Sequence, residues 1–492
     1  MFESASLSHR MEKAQYREEE SRLREALLNT QYDLKEAGRF PVLILIAGVE
    51  GAGKSEAVNL LNEWMDPRHI SVSAFASPEG EELEHPPMWR FWRALPPKGR
   101  IGIFFGAWHT QPILDRVRDK ISDAQLSEHI ADILRFEKML SDEGVLLVKL
   151  WFHLSKEQQK RRLKALEKDP RTRWRATRED WRRYRAYDEY ARTSEIFLRR
   201  TSTGEAPWRV VPGADPAYRA VSVGRHLLEA MRERLSAKRV SAESAVVPSL
   251  PPPLDQVNVL RALTLDQPLE KSEYERELEK WQGRLNTLSR EPRFNRLAVV
   301  GVFEGNDAAG KGGAIRRVTS ALDARRIRTV PIAAPTEEER AQPYLWRFWR
   351  HLPRAGSFTL FDRSWYGRVL VERVEGYCSE SDWRRAYSEI NDFEQQLVRH
   401  GLIVAKFWLA ISKEEQLARF KAREVTTFKR FKITEDDWRN REKWEAYERA
   451  VCEMVDRTST SIAPWTLVEA NNKYAARIKV LSTLVRAIEE AL

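Results

Sequence analysis

Cysteine is almost absent: Cys378 and Cys452 are the only two in 492 residues. That excludes a disulfide framework and leaves no ligand pair at metal spacing. Long apolar runs are missing as well, none approaching the roughly 20 residues that cross a bilayer, so no membrane segment is expected. The opening MFESASLSHRMEKAQ has no apolar centre, which argues against a secretory signal. A reducing, cytoplasmic setting fits these absences. Charge, in contrast, is plentiful and unbalanced, 83 Lys and Arg against 73 Asp and Glu giving a formal +10. Such an excess suits a polyanionic partner, or simply solvated arginine-rich helices. The 42% hydrophobic and 32% charged fractions are those of a globular chain, and the length allows two to four domains.

Residues 297 to 313, LAVVGVFEGNDAAGKGG, carry the most information. An apolar run that ends in GxxxxGK reads as a buried parallel strand feeding a phosphate-cradling loop. The candidate cradle is Gly305, Asn306, Ala308, Ala309, Gly310, Gly312 and Gly313, with Lys311 adding a point charge for a phosphate oxygen. The Ser or Thr that normally follows the lysine and holds Mg²⁺ is Gly312. Another oxygen must then hold the metal. Asp307 within the loop is one candidate, and Asp362 is the other, because FTLFDRSWYGR ends an apolar strand on an acid. Arg363 and Arg368 follow it closely enough to serve as phosphate clamps.

The chain is internally repeated. PVLILIAGVEGAGKS, with Lys54 and Ser55, is a second loop, and Gly48 and Gly305 are 257 positions apart. The same spacing superimposes WRFWR at 89 on WRFWR at 346, Ser155-Lys156 on Ser412-Lys413, and Ala206-Pro207-Trp208 on Ala463-Pro464-Trp465. A gapless tandem duplication follows. SAESAVVPSLPPPLDQ marks the join, so the expected organisation is residues 1–235, a linker at 236–268, and residues 269–492. In each copy strand-like runs alternate with helix-length stretches. The expected fold is α/β, two P-loop kinase-like domains, each a parallel sheet with helices on both faces and a helical lid. Duplication also suggests an intramolecular pseudo-dimer, able to assemble further into a homo-oligomer.

The copies differ where chemistry would reside. The offset sets Glu50 against Asp307, Ser55 against Gly312, Phe105 against Asp362, Gly106 against Arg363, and Gln111 against Arg368. Phosphoryl transfer needs charge neutralised around the moving group, and the first copy has lost most of the groups that supply it. Catalysis is therefore assigned to the second copy, to Asp307, Lys311, Asp362, Arg363 and Arg368. Residues 414–444 form a basic, helical stretch, in which Arg419, Arg423, Lys429, Arg430 and Lys432 are candidate lid cations closing over the phosphates. Trp346, Phe348 and Trp349 could stack nucleic-acid bases, but the same WRFWR in the degenerate copy favours a core role.

GNDAAGKGG, FDRSWYGR, WLAISKEEQLARF and TSTSIAPW, with the preceding EKSEYERELEKWQGRLNTL, together resemble the family-2 polyphosphate kinases, specifically their two-domain members. The resemblance covers nearly all of both copies. It implies phosphoryl transfer from inorganic polyphosphate to AMP, giving ADP. It further implies that Asp307 and Asp362 organise Mg²⁺, that Lys311, Arg363 and Arg368 hold phosphates, and that the basic segment covers polyphosphate and nucleotide. An ATP-dependent nucleotide kinase and a non-enzymatic nucleic-acid-binding P-loop module are the alternatives; no specific nucleic acid and no membrane are expected as partners. An AMP phosphate is already mostly ionised near neutral pH, so the acceptor needs no general base.

Overall fold

The computed structural model describes residues 1–7, 9–237, 258–427, 431 and 433–492. Lys429, Arg430 and Lys432 and most of the expected linker lie outside the described residues. The chain divides into two compact units. One takes the described residues of Met1–Glu79, Arg90–Arg239 and Pro335–Trp346, the other those of Gly80–Trp89, Val240–Ala334 and Arg347–Leu492.

Each unit is built on a five-stranded sheet. In the first the strands are β1 (Val42–Gly48), β2 (Ile70–Ala74), β3 (Ile101–Phe105), β4 (Leu146–His153) and β5 (Trp208–Pro212), ordered β2-β3-β1-β4-β5. In the second they are β6 (Ala298–Gly305), β7 (Ile327–Pro331), β8 (Phe358–Asp362), β9 (Leu402–Ala410) and β10 (Trp465–Glu469), ordered β7-β8-β6-β9-β10. All eight strand pairings are parallel. Parallel neighbours need crossover connections, which the charged helices of the repeat supply. The strand that precedes each glycine loop is central, so each loop emerges at the carboxyl edge between two neighbours, where such sheets bind ligands.

Side-chain alternation sorts the two faces. In the second unit Val299, Phe303, Ala405, Phe407 and Leu409 pack with the helices Lys271–Ser289, Lys311–Thr319 and Lys473–Ala491. On the opposite face Lys406, fully buried, meets Glu394 of the helix Glu380–Arg399 at 2.7 Å. The first unit repeats this pair as Lys149 and Glu137 at 2.6 Å. Burial pushes both glutamates up and both lysines down, against their mutual attraction. Glu394 also accepts from Trp365 Nε1 at 3.0 Å and Tyr366 Oη at 2.7 Å, which makes these aromatics anchors of the chain after β8. WRFWR is likewise core: Phe348 and Trp349 are buried and meet Trp365 and Phe393 edge-on.

The opening helix runs Lys13–Ala37 and buries Leu23, Leu27 and Leu34, as its spacing requires. The basic stretch 414–444 is not one helix. It forms Lys413–Glu424 and Glu435–Glu442, interrupted where Val425, Thr426 and Thr427 break helical propensity.

Candidate active site

The loop after β6 takes its shape from a close approach. A Cβ on Gly305 would lie 2.4 Å from the Leu409 carbonyl oxygen, so only glycine lets this backbone cross β9. Asn306 then fastens the loop, its N–H donating to Leu409 O and its Oδ1 accepting from Ile411 N at 3.1 Å. Ala308 at φ +64° and Gly310 at φ +107° complete the curl, and Gly310 opens the helix Lys311–Thr319. The helix N-terminus thus faces the loop's concavity, a ready-made anion site. A Cβ on Gly312 would meet nothing within 4 Å, so the missing hydroxyl is not a matter of space.

Lys311 donates to Gly305 O at 2.8 Å and to Asn306 O at 3.4 Å. An ammonium has three donors, so one remains for a phosphate. Asp307 accepts from Arg363 Nη2 at 3.2 Å on one oxygen and from Asn440 Nδ2 at 2.9 Å on the other. Asp362 ends β8 in register with Phe303 of β6, one strand over from the loop. Partial burial pulls the Arg363 guanidinium down, but the carboxylates of Asp307, Glu304, Asp362 and Asp437 together hold it above its ordinary value. The two aspartates assigned to the metal therefore both act on one arginine. Arg368 ends the short turn Trp365–Arg368 and pairs with Glu372 at 2.7 Å.

Arg419 is a correction. Counted among the lid cations from sequence, it is buried, and its guanidinium donates to the carbonyls of Ala308, Ala309, Ala470 and Asn471 and to Glu415. All five of its donors are used, so it braces the loop from behind and has none left for phosphate. Arg423, one turn on, acts on Asp437, whose carboxyl is pushed up by burial and by the nearby Asp307.

Three contributors escape a motif search. Glu304 sits in β6 just ahead of the loop and accepts from Ser364 Oγ at 2.8 Å; burial pushes its carboxyl up, opposed by that bond and by Lys311 and Arg363. Asn440 reaches Asp307 from the helix Glu435–Glu442, and Gln416 donates to the Asp307 carbonyl at 3.2 Å. Glu304 is the one charge in an otherwise apolar strand, a signal readable in the sequence; Asn440 has no local signature.

The corresponding loop of the first unit is closed on itself. Lys54 donates to Gly48 O and Val49 O, both at 3.0 Å, and to Glu50 at 3.3 Å, which uses all three donors. Glu50 is also held by Arg183 at 2.6 Å, and the Arg219 guanidinium lies where a Cβ on Gly53 would be. Phe105 and Gly106 stand in place of Asp362 and Arg363.

A parallel sheet with this loop at the carboxyl edge of its central strand, an aspartate ending the neighbouring strand and the helix Lys413–Glu424 braced against the loop defines a P-loop kinase-like phosphotransferase. Comparison with known proteins refines the class. The family model described as "Polyphosphate kinase 2 (PPK2)" matches residues 10–239 and again 268–492, and the chain belongs to that family. The chain is 59% identical over 491 residues to the polyphosphate:AMP phosphotransferase of Pseudomonas aeruginosa, covering 100% of this chain and 99% of that one. It is 55% identical, with the same coverage, to the protein of that name from Pseudomonas syringae pv. tomato. A crystal structure of a polyphosphate kinase 2 from Pseudomonas aeruginosa superposes with a TM-score of 0.90 at 56% identity, covering 100% of this chain and 99% of that one.

Proposed function

We propose that the chain is a polyphosphate:AMP phosphotransferase, moving the terminal phosphoryl group of inorganic polyphosphate to AMP to give ADP. The observation that carries this is the contrast at the two lysines: Lys311, at the end of the loop that carries Asp307, keeps a free donor, whereas Lys54 has none. Turnover belongs to residues 269–492, and residues 1–235 are a degenerate copy.

In the reaction a phosphate oxygen of AMP attacks the terminal phosphorus. The bond from that phosphorus to the bridging oxygen breaks, and the electron pair leaves on the shortened polyphosphate. Lys311, Arg363 and the loop N–H groups neutralise charge on the moving group, and Arg368 and Arg423 extend the cationic surface around the chain. Lys429, Arg430 and Lys432 are assigned to the lid on charge alone. No side chain need take a proton, because the acceptor phosphate, with a second pKa of about 6, is already ionised.

The residues present fit Mg²⁺. Among the described residues no group of three or more His, Cys, Asp or Glu side chains could hold a metal, but Mg²⁺ is usually bound by one or two carboxylates plus substrate phosphates. Asp307 and Asp362 would hold it, and Asp307, with one hydrogen bond on each oxygen, keeps lone pairs for the purpose. Bound there, Mg²⁺ would screen the charge on the donor phosphates.

Among the described residues no helix is long and apolar enough to cross a membrane. A cytoplasmic location and weak, salt-sensitive nucleic-acid binding at most complete the proposal. The test is ADP formation from AMP and Mg²⁺ with polyphosphate or ATP as donor. Polyphosphate should support turnover and ATP should not replace it; full activity with ATP alone refutes the assignment.

A further inference from the structure

Arg363 holds a backbone conformation that an arginine does not choose. Its φ is +65°, in the left-handed region, where Cβ crowds the backbone of any non-glycine residue. The first copy makes the same turn at Gly106, φ +77°, where glycine adopts it freely. Something must hold the turn when arginine occupies it.

The residue after Arg363 is Ser364, buried, whose Oγ accepts from Tyr366 N and donates to Glu304 at 2.8 Å. Glu304 is 6% exposed on β6, 60 residues away in the chain. Burying a carboxyl here is not needed for folding. At the same two positions the first copy has Ala47 and Ala107, and its sheet has the same order and pairing. The carboxyl and the hydroxyl are thus present together where Asp362 and Arg363 are present, and absent together where these have become Phe105 and Gly106.

We propose that Glu304 is a positioning residue for phosphoryl transfer: through Ser364 it fixes the left-handed turn that aims Arg363 at the transferring phosphate. Glu304 touches no substrate itself. The role rests on the function proposed above, since it assumes that Arg363 meets a phosphate. It also predicts that the tie acts through arginine alone, and that an uncharged acceptor serves as well as a carboxylate.

The experiment compares E304A, E304Q, S364A and E304A/S364A for kcat, KM and thermal midpoint, with tripolyphosphate binding by calorimetry for the wild type, S364A, R363A and S364A/R363A. E304A should lose about 10²-fold in kcat with little change in KM for AMP, the scale expected when a catalytic group is misaimed. The double variant should be no worse than the poorer single, because the two residues form one tie. E304Q, whose amide oxygen still accepts from Ser364, should recover most of kcat. S364A should weaken tripolyphosphate binding in the wild-type background and leave it unchanged in R363A.

A wild-type enzyme that makes no ADP from polyphosphate and AMP refutes the functional reading; the binding series still decides the tie. Near-wild-type kcat in E304A, a double variant that multiplies the single losses, an E304Q as poor as E304A at unchanged thermal midpoint, or an S364A binding defect that persists in R363A overturns the positioning role. The Ala–Ala pair of the first copy shows that the fold accommodates E304A/S364A, so that variant remains measurable if a single variant fails to fold.

Discussion

Replacing each loop lysine by alanine separates the two copies. Lys311 has two carbonyl acceptors and a donor to spare, and among the described residues no carboxylate lies within ion-pair distance of it. A unit charge at about 4 Å is worth roughly 4 kcal/mol at an effective dielectric near 20, and loss of one donor to a developing charge typically costs 10²–10³ in kcat. Lys311→Ala should fall in that range. Lys54 spends its three donors on Gly48 O, Val49 O and Glu50, and Glu50 keeps Arg183 at 2.6 Å when the lysine is gone. Lys54→Ala should therefore lose about 1 kcal/mol of stability, the scale of one net hydrogen bond, and retain most of its turnover. The assay is initial-rate ADP formation from AMP and polyphosphate, with thermal melts to confirm that both variants are folded. Equal losses in kcat, or a folded but inactive Lys54→Ala protein, would refute both the donor count and the assignment of catalysis to the second copy.

Asp362→Asn should lower kcat at least 10²-fold and raise the Mg²⁺ concentration needed for half-maximal rate; an unchanged Mg²⁺ titration counts against Asp362 as a ligand. Acid should weaken the first unit through His109. Burial, and then the charge of Lys149, press this imidazole down to about 3 from 6.5, so it stays neutral in the folded chain while the unfolded chain binds a proton below about 6.5. Its contribution is complete above pH 6.5 and is lost as pH falls toward 3, on the order of 2 kcal/mol by pH 5. His109→Tyr copies Tyr366 at the matching position, whose hydroxyl serves the buried Glu394–Lys406 pair. It should flatten the fall in melting temperature between pH 7.5 and 5; an unchanged slope would show that another group carries the acid sensitivity.

The strands, their order along the chain, the loop and the duplication were legible because each rests on local pattern. Apolar runs such as those of β6 and β9, short and bounded by glycine, read as buried strands of a parallel sheet, glycines at 305 and 310 read as a tight turn, and a spacing of 257 needs no coordinates. Asp362, Arg363 and Lys311 could be put forward as a site because their positions in those patterns are local features of the chain. Which donors remained free was not readable. Arg419 and Arg423 look alike in sequence, yet only packing brings five acceptors around the first. Lys54 looks the better P-loop lysine beside Ser55, and only the fold closes Glu50 onto it. Asn440 and Ser364 reach the site from 133 and 60 residues away. Periodicity and turn chemistry act between near neighbours and are written in the sequence; the saturation of a polar group depends on what the folded chain brings within about 3 Å of it, and only the tertiary structure decides that.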